Sequence, residues 1–167
     1  MRTYSRNLFA LLIVPAFLFA FTFKMDRANF SGDWKLNESK SELGQFARFA
    51  PRTIKTDQKA DAISISRTSP SFNGDDVTTS ETLSYDGKET ETTVFGNSKR
   101  KSTGKWSDDG KTFTITYTLL LDFNGQTNEV KGTEAWTLSD DGKTLTVQTK
   151  STSSQGERTT KAVYDKQ

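Results

Sequence analysis

A chain of 167 residues with neither cysteine nor histidine has no disulfides to staple it, and it lacks the commonest general base, the thiol nucleophile and most transition-metal ligands. Its 23 basic and 21 acidic residues leave a formal charge of +2, too small a surplus to suggest a nucleic-acid or anionic-membrane surface. The length suits one domain with a substantial core, so stability has to come from packing.

Residues 8–23 are an apolar run broken only by Pro15, with Arg2 and Arg6 before it and Lys24, Asp26 and Arg27 after it. This pattern predicts a secretory signal over 1–23, a linker over 24–28 and a single domain over 29–167. The run is short for a membrane span, so cleavage near Thr22 is favoured over an uncleaved anchor and no stable membrane insertion is expected afterwards. Without Arg2 and Arg6 the 23 basic residues become 21, equal to the 21 acidic ones. The expectation is an exported monomer, periplasmic or extracellular, with no cofactor, no metal and no nucleic-acid partner.

The first strand is predicted over 29–37, with Phe30, Gly32, Trp34 and Leu36 on one face. Leu43, Phe46, Ala47 and Phe49 are then spaced like one or two helical turns that end at Pro51, a short lid or plug. Short strands over 53–57 and 62–68 and a polar loop over 70–76 lead into a meander of strands over 77–85, 89–95 and 99–106.

The stretch 106–147 carries the strongest signal. Phe113, Ile115, Tyr117, Leu119, Leu121 and Phe123 fall on every second position with Thr112, Thr114, Thr116 and Thr118 between them, which marks a strand with one buried face. Asp109-Gly110, Asn124-Gly125 and Asp141-Gly142 read as two-residue hairpin turns. If each pair is the centre of its loop, Trp106 faces Phe113, Phe113 faces Trp136, Leu138 faces Leu145 and Trp136 faces Val147. Each pair falls on the apolar face, and a slip of one residue would break that agreement. The segment S-D-D-G-K-T occurs at 107–112 and 139–144, with a weaker copy at 85–88, and reads as reused turn chemistry.

Two last strands, 144–152 and 158–165, turn near Gln155-Gly156. Extending the registers gives one row of Trp106, Phe113, Trp136, Val147 and Tyr164. A second row holds Gly104, Ile115, Glu134, Thr149 and Ala162, and a third holds Ser102, Tyr117, Gly132 and Ser151. The fold class is therefore all-β, an antiparallel up-and-down meander of eight to ten strands, and closure into a barrel would remove its long edges.

Phe30-Ser31-Gly32-Asp33-Trp34-Lys35-Leu36 resembles the opening F-x-G-x-W-K-L of the fatty-acid-binding proteins, members with the lipocalins of the calycin group. Ala162-Val163-Tyr164-Asp165-Lys166 resembles that family's R-x-Y-x-K ending, in which arginine and tyrosine hold a ligand carboxylate; alanine stands at the arginine position. The lipocalins' T-D-Y motif is absent. Residues 30–41 also resemble the start F-S-G-x-W-K-L-N-x-x-K-S of exported bacterial proteins without an assigned activity. The resemblance implies a lipocalin-like barrel.

The expected function is binding of a small apolar or amphipathic molecule in the lumen; the alternative is a filled barrel acting as an interaction protein. No catalytic residue is nominated, since no nucleophile elbow or phosphate loop is present. The nominated ligand-binding residues are Ile115, Tyr117, Leu119, Val130, Glu134, Trp136, Tyr164, Glu81 and Arg100. Glu81, Glu134 and Arg100 lie on inward positions and would anchor a head group, unless Glu134 merely pairs with a basic neighbour.

Overall fold

The computed structural model describes residues 27–71, 74–123 and 125–167. The leader expected over 1–23, most of the linker, Asn124 and the side chains of Phe46 and Phe123 lie outside the described residues.

Ten strands form one antiparallel sheet: β1 (Gly32–Leu36), β2 (Thr53–Gln58), β3 (Ala62–Pro70), β4 (Asp76–Ser84), β5 (Thr90–Phe95), β6 (Ser98–Trp106), β7 (Phe113–Phe123), β8 (Gln126–Leu138), β9 (Thr144–Ser153) and β10 (Gly156–Lys166). The order is β4-β3-β2-β1-β10-β9-β8-β7-β6-β5, so the first strand pairs with the last and the sheet curls into a barrel. β4 and β5 are consecutive in the chain but share no ladder among the described residues. Across that seam the Thr90 hydroxyl donates to the Thr82 carbonyl at 2.9 Å. The barrel is therefore nearly closed, with a side-chain bridge where a ladder would be.

All four expected pairs form: Trp106 with Phe113, Phe113 with Trp136, Leu138 with Leu145, and Trp136 with Val147. Two expectations about turns need correction. The β6–β7 and β8–β9 connections have the expected centres but are wider than two residues. Ser107 N–H donates to the Thr112 carbonyl and Gly110 N–H to the Ser107 carbonyl, with Gly110 at φ 68°. Within the loop, Asp109 accepts from the Ser107 hydroxyl at 2.6 Å and from Lys111 N–H at 3.0 Å. Ser139, Asp141 and Lys143 repeat the pattern at 2.6 and 3.0 Å. The motif is thus a self-satisfying loop in which aspartate replaces missing backbone partners. Those bonds hold the Asp109 and Asp141 carboxyls below their ordinary pKa.

The second correction concerns β10. The β9–β10 turn is centred on Ser154-Gln155, so Val147 faces Ala162 and Leu145 faces Tyr164. This differs by two residues from the expected row. Since side chains alternate with period two, a two-residue slip keeps every residue on its face and leaves no trace in the apolar pattern.

One end of the barrel is filled. Phe30 stacks on Trp106 at 5.5 Å between ring centroids and meets Trp136 edge-on at 6.0 Å, while Trp106 and Phe113 lie 5.1 Å apart. Trp34, Phe30, Ile54, Ile63, Ile65, Leu83, Phe113, Ile115, Trp136, Leu145 and Tyr164 are all essentially inaccessible. The Arg27 guanidinium closes this floor from outside, 4.7 Å above the Tyr85 ring. The lid expected after β1 consists of two 3₁₀ turns, Glu38–Lys40 and Gly44–Phe49, with Leu43 buried against the core. Among the described residues no helix is long and apolar enough to cross a membrane.

Candidate functional site

The inward face of the barrel has three levels. The floor holds Ile115, Trp136 and Tyr164, three of the nominated residues, packed within the hydrophobic core. Burial, first of all, pushes the Tyr164 hydroxyl well above its ordinary pKa, with the charges of Arg67 and Glu134 acting on it in opposite directions. Above the floor, strand alternation carries polar side chains into the interior: Arg67 follows Ile63 and Ile65 on β3, and Glu81 precedes Leu83 on β4. Arg100 lies four and six residues before Gly104 and Trp106 on β6, and Glu134 two before Trp136 on β8.

These four side chains form a closed set of ion pairs. Arg67 divides its terminal nitrogens between Glu81 Oε1 and Glu134 Oε2, the latter at 3.0 Å. Arg100 Nη2 donates to Glu134 Oε1 at 2.6 Å and its Nε to the Ser102 hydroxyl at 3.0 Å. The Trp136 indole N–H donates to Glu134 Oε2 at 3.1 Å, which ties the polar level to the floor. Glu134 is 8% and Glu81 5% exposed, so none of this resembles a solvated surface bridge. Burial alone would raise the Glu134 carboxyl, but the charges of Arg100 and Arg67 outweigh it and bring the pKa down to about 2. Burial would likewise lower Arg67, and Glu134 and Glu81 overcome it and raise the guanidinium pKa. Both guanidiniums also lie near aromatic rings, Arg67 5.5 Å from the Trp136 centroid and Arg100 4.0 Å from that of Tyr117.

Glu81, Glu134 and Arg100 are therefore brought together as the inward alternation implied. Their fourth member, Arg67, was not among the nominated residues. Its signal lies in the sequence: Ile63, Ile65 and Arg67 share one parity on the strand predicted over 62–68. Of the two readings of Glu134, a head-group anchor or the partner of a basic neighbour, the structure shows the pairing, with two arginines.

The third level is the mouth. Leu119 faces Val130 across β7 and β8, and both are half-buried, as is Val77 on β4. Tyr117 sits between the levels opposite Gly132, and burial, first of all, raises its hydroxyl pKa. Gly104 and Gly132 sit on the inward face opposite Ile115 and Tyr117, and neither position has room for a side chain. A Cβ on Gly104 would run into Phe113 Cζ, and one on Gly132 would lie 2.6 Å from the Tyr117 hydroxyl and 2.7 Å from the Lys150 carbonyl. Both glycines are required by close packing, so enlarging either would strain the wall before it filled a lumen.

Two sizeable hollows lie elsewhere. One of about 410 Å³ runs over β7 to β10 and is lined mainly by outward residues such as Thr116, Lys131, Thr133 and Lys150, with Gly132 exposing backbone between them. Another of about 430 Å³ lies beside Asn37, Glu38 and Asp165.

Ten antiparallel strands, a packed floor, a polar level and a short helical segment after β1 define a calycin-type barrel of the fatty-acid-binding-protein-like form. A solved structure agrees: zebrafish ileal bile acid-binding protein, crystallised with cholic acid, aligns over 83% of this chain and 98% of its own, with a TM-score of 0.50 and 20% identity. At that identity the likeness is one of fold. No family model and no curated protein matches the chain.

Proposed function

We propose that this protein is an exported, monomeric barrel that binds a small apolar or amphipathic molecule in the mouth half of its interior, and that it is not an enzyme. The observation carrying this reading is the change of level along the inward face. Below Glu134 the inward side chains are buried, whereas Leu119, Val130 and Val77 above it are apolar, inward and half-buried. Apolar residues open to solvent within a concave wall are what a ligand would cover. The cholic acid complex of the structurally similar zebrafish protein supports a small amphipathic molecule as the occupant of such a barrel, whatever its charge. The apolar run over 8–23 supports export.

A saturable change in tryptophan emission on titration with dodecanol or an environment-sensitive apolar dye is expected. Val130→Trp, which fills the mouth, should abolish dye binding while cooperative unfolding is retained. No saturable binding by the wild-type protein would refute the reading. The hollow on the outside of β7 to β10 favours the second reading, a filled barrel acting through its outer surface. Dye binding that survives Val130→Trp would point there.

A further inference from the structure

Resting on the luminal reading, the charge balance of the interior narrows the class of ligand. The polar level holds two guanidiniums and two carboxylates, so its net charge is zero. The carboxylates already occupy the forks of both arginines: Glu134 bridges Arg67 and Arg100, and Glu81 sits on Arg67 with its second oxygen 3.8 Å from Arg100 Nε. At the rim, Arg52 is paired with Asp76 at 3.1 Å and Arg158 donates to Gln155 at 2.6 Å. Ala162, on the inward face of β10 opposite Val147, brings no further cation.

A ligand anion reaching this level would add a negative charge that no cation there is left to balance, in a medium where an uncompensated charge is heavily penalised. A neutral hydroxyl carries no such penalty. Glu81 Oε2, buried and without a hydrogen bond, offers it an acceptor. We propose that the interior selects neutral, hydroxyl-bearing apolar molecules over organic anions, and that Glu81 sets this preference because its carboxylate stands where a ligand carboxylate would meet Arg67 and Arg100.

The test compares dodecanol with dodecanoate, both below their aggregation limits, by tryptophan emission and calorimetry near neutral pH. Wild-type protein should bind dodecanol at least tenfold more tightly. Glu81→Gln, which leaves the level with one unbalanced positive charge, should raise dodecanoate affinity relative to dodecanol at least tenfold, with the variant's fold verified by cooperative unfolding. Equal or tighter binding of dodecanoate by the wild type overturns the selectivity and leaves the luminal reading standing. So does a folded Glu81→Gln variant whose ratio does not move. If the variant does not fold, the wild-type ratio decides alone. If neither chain binds, the luminal reading fails and this inference fails with it.

Discussion

Removing Arg67 tests the energetic reading of the interior most directly. The perturbation is Arg67→Met, which keeps an apolar stem and deletes the guanidinium. Glu134 would keep its 2.6 Å bond from Arg100 and its 3.1 Å bond from Trp136, so its loss is partial. Glu81 would fare worse: its Oε1 loses its partner and its Oε2 retains only Arg100 Nε at 3.8 Å. A buried carboxylate stripped of its counter-charge costs about 3–5 kcal/mol, which for a domain of this size lowers the melting temperature by roughly 10 °C. Removing the stranded partner as well, in Arg67→Met/Glu81→Leu, leaves a balanced Arg100–Glu134 pair and should recover most of the loss, with a coupling of about 2 kcal/mol or more. Urea unfolding followed by tryptophan emission measures the four proteins of the cycle, wild type, Arg67→Met, Glu81→Leu and the double variant, since Trp34, Trp106 and Trp136 are buried. The effect should also persist at high salt, unlike that of the exposed Lys131–Glu129 pair. A single-variant cost below about 1 kcal/mol, or a double variant as damaged as the sum of its parts, would refute this account.

Glu134 predicts an acid limb. Its folded pKa of about 2 lies below the unfolded carboxylate value of about 4.3, so its contribution is complete above the unfolded value and is lost as pH falls towards 2. The total is roughly 3 kcal/mol, and urea midpoints for Glu134→Gln between those pH values should slope less than wild type; equal slopes would refute the assignment. Two glycine variants should fail for different reasons: Gly132→Ala by about 1–3 kcal/mol through contact with Tyr117 and the Lys150 carbonyl, and Gly142→Val by about 1–2 kcal/mol through its φ of 67° with no neighbour within 4 Å. Crystal structures should show the wall displaced around residue 132 and an unchanged environment at residue 142.

The fold was legible where two independent signals coincided. In β6 to β9 the alternation of Trp106, Phe113, Trp136 and Val147 and the glycines at 110, 125 and 142 point to one register, and the structure has it. At β10 only one signal remained. The alternation of Ala162 and Tyr164 is unaffected by a two-residue slip, and Gly156, with φ of 103°, follows the turn and does not centre it. The same limit applied to the site. Parity placed Glu81, Arg100 and Glu134 inside, and it would have placed Arg67 there too. What parity cannot give is which strands face one another across the lumen, because that depends on how the sheet closes. The pairing of β3 and β4 with β6 and β8 through space exists only once β1 has joined β10.

That closure explains why the charges are where they are. β4 and β5 are the free edges of the sheet, and nothing like the long ladder of β7 and β8 holds them side by side. Glu81 and Arg67 belong to the two strands on one side of the seam, while Arg100 belongs to the strand beside β5 on the other side and Glu134 to β8 beyond it. The ion pairs therefore run across the interior between the two edges and act as a clasp for a barrel that its backbone leaves open. Directional bonds suit this task better than an apolar layer would, since fixed donors and acceptors set the separation of the edges as well as their attraction. The same clasp places two arginines in the lumen with their charge already cancelled, so closing the barrel and excluding anions become consequences of one set of contacts.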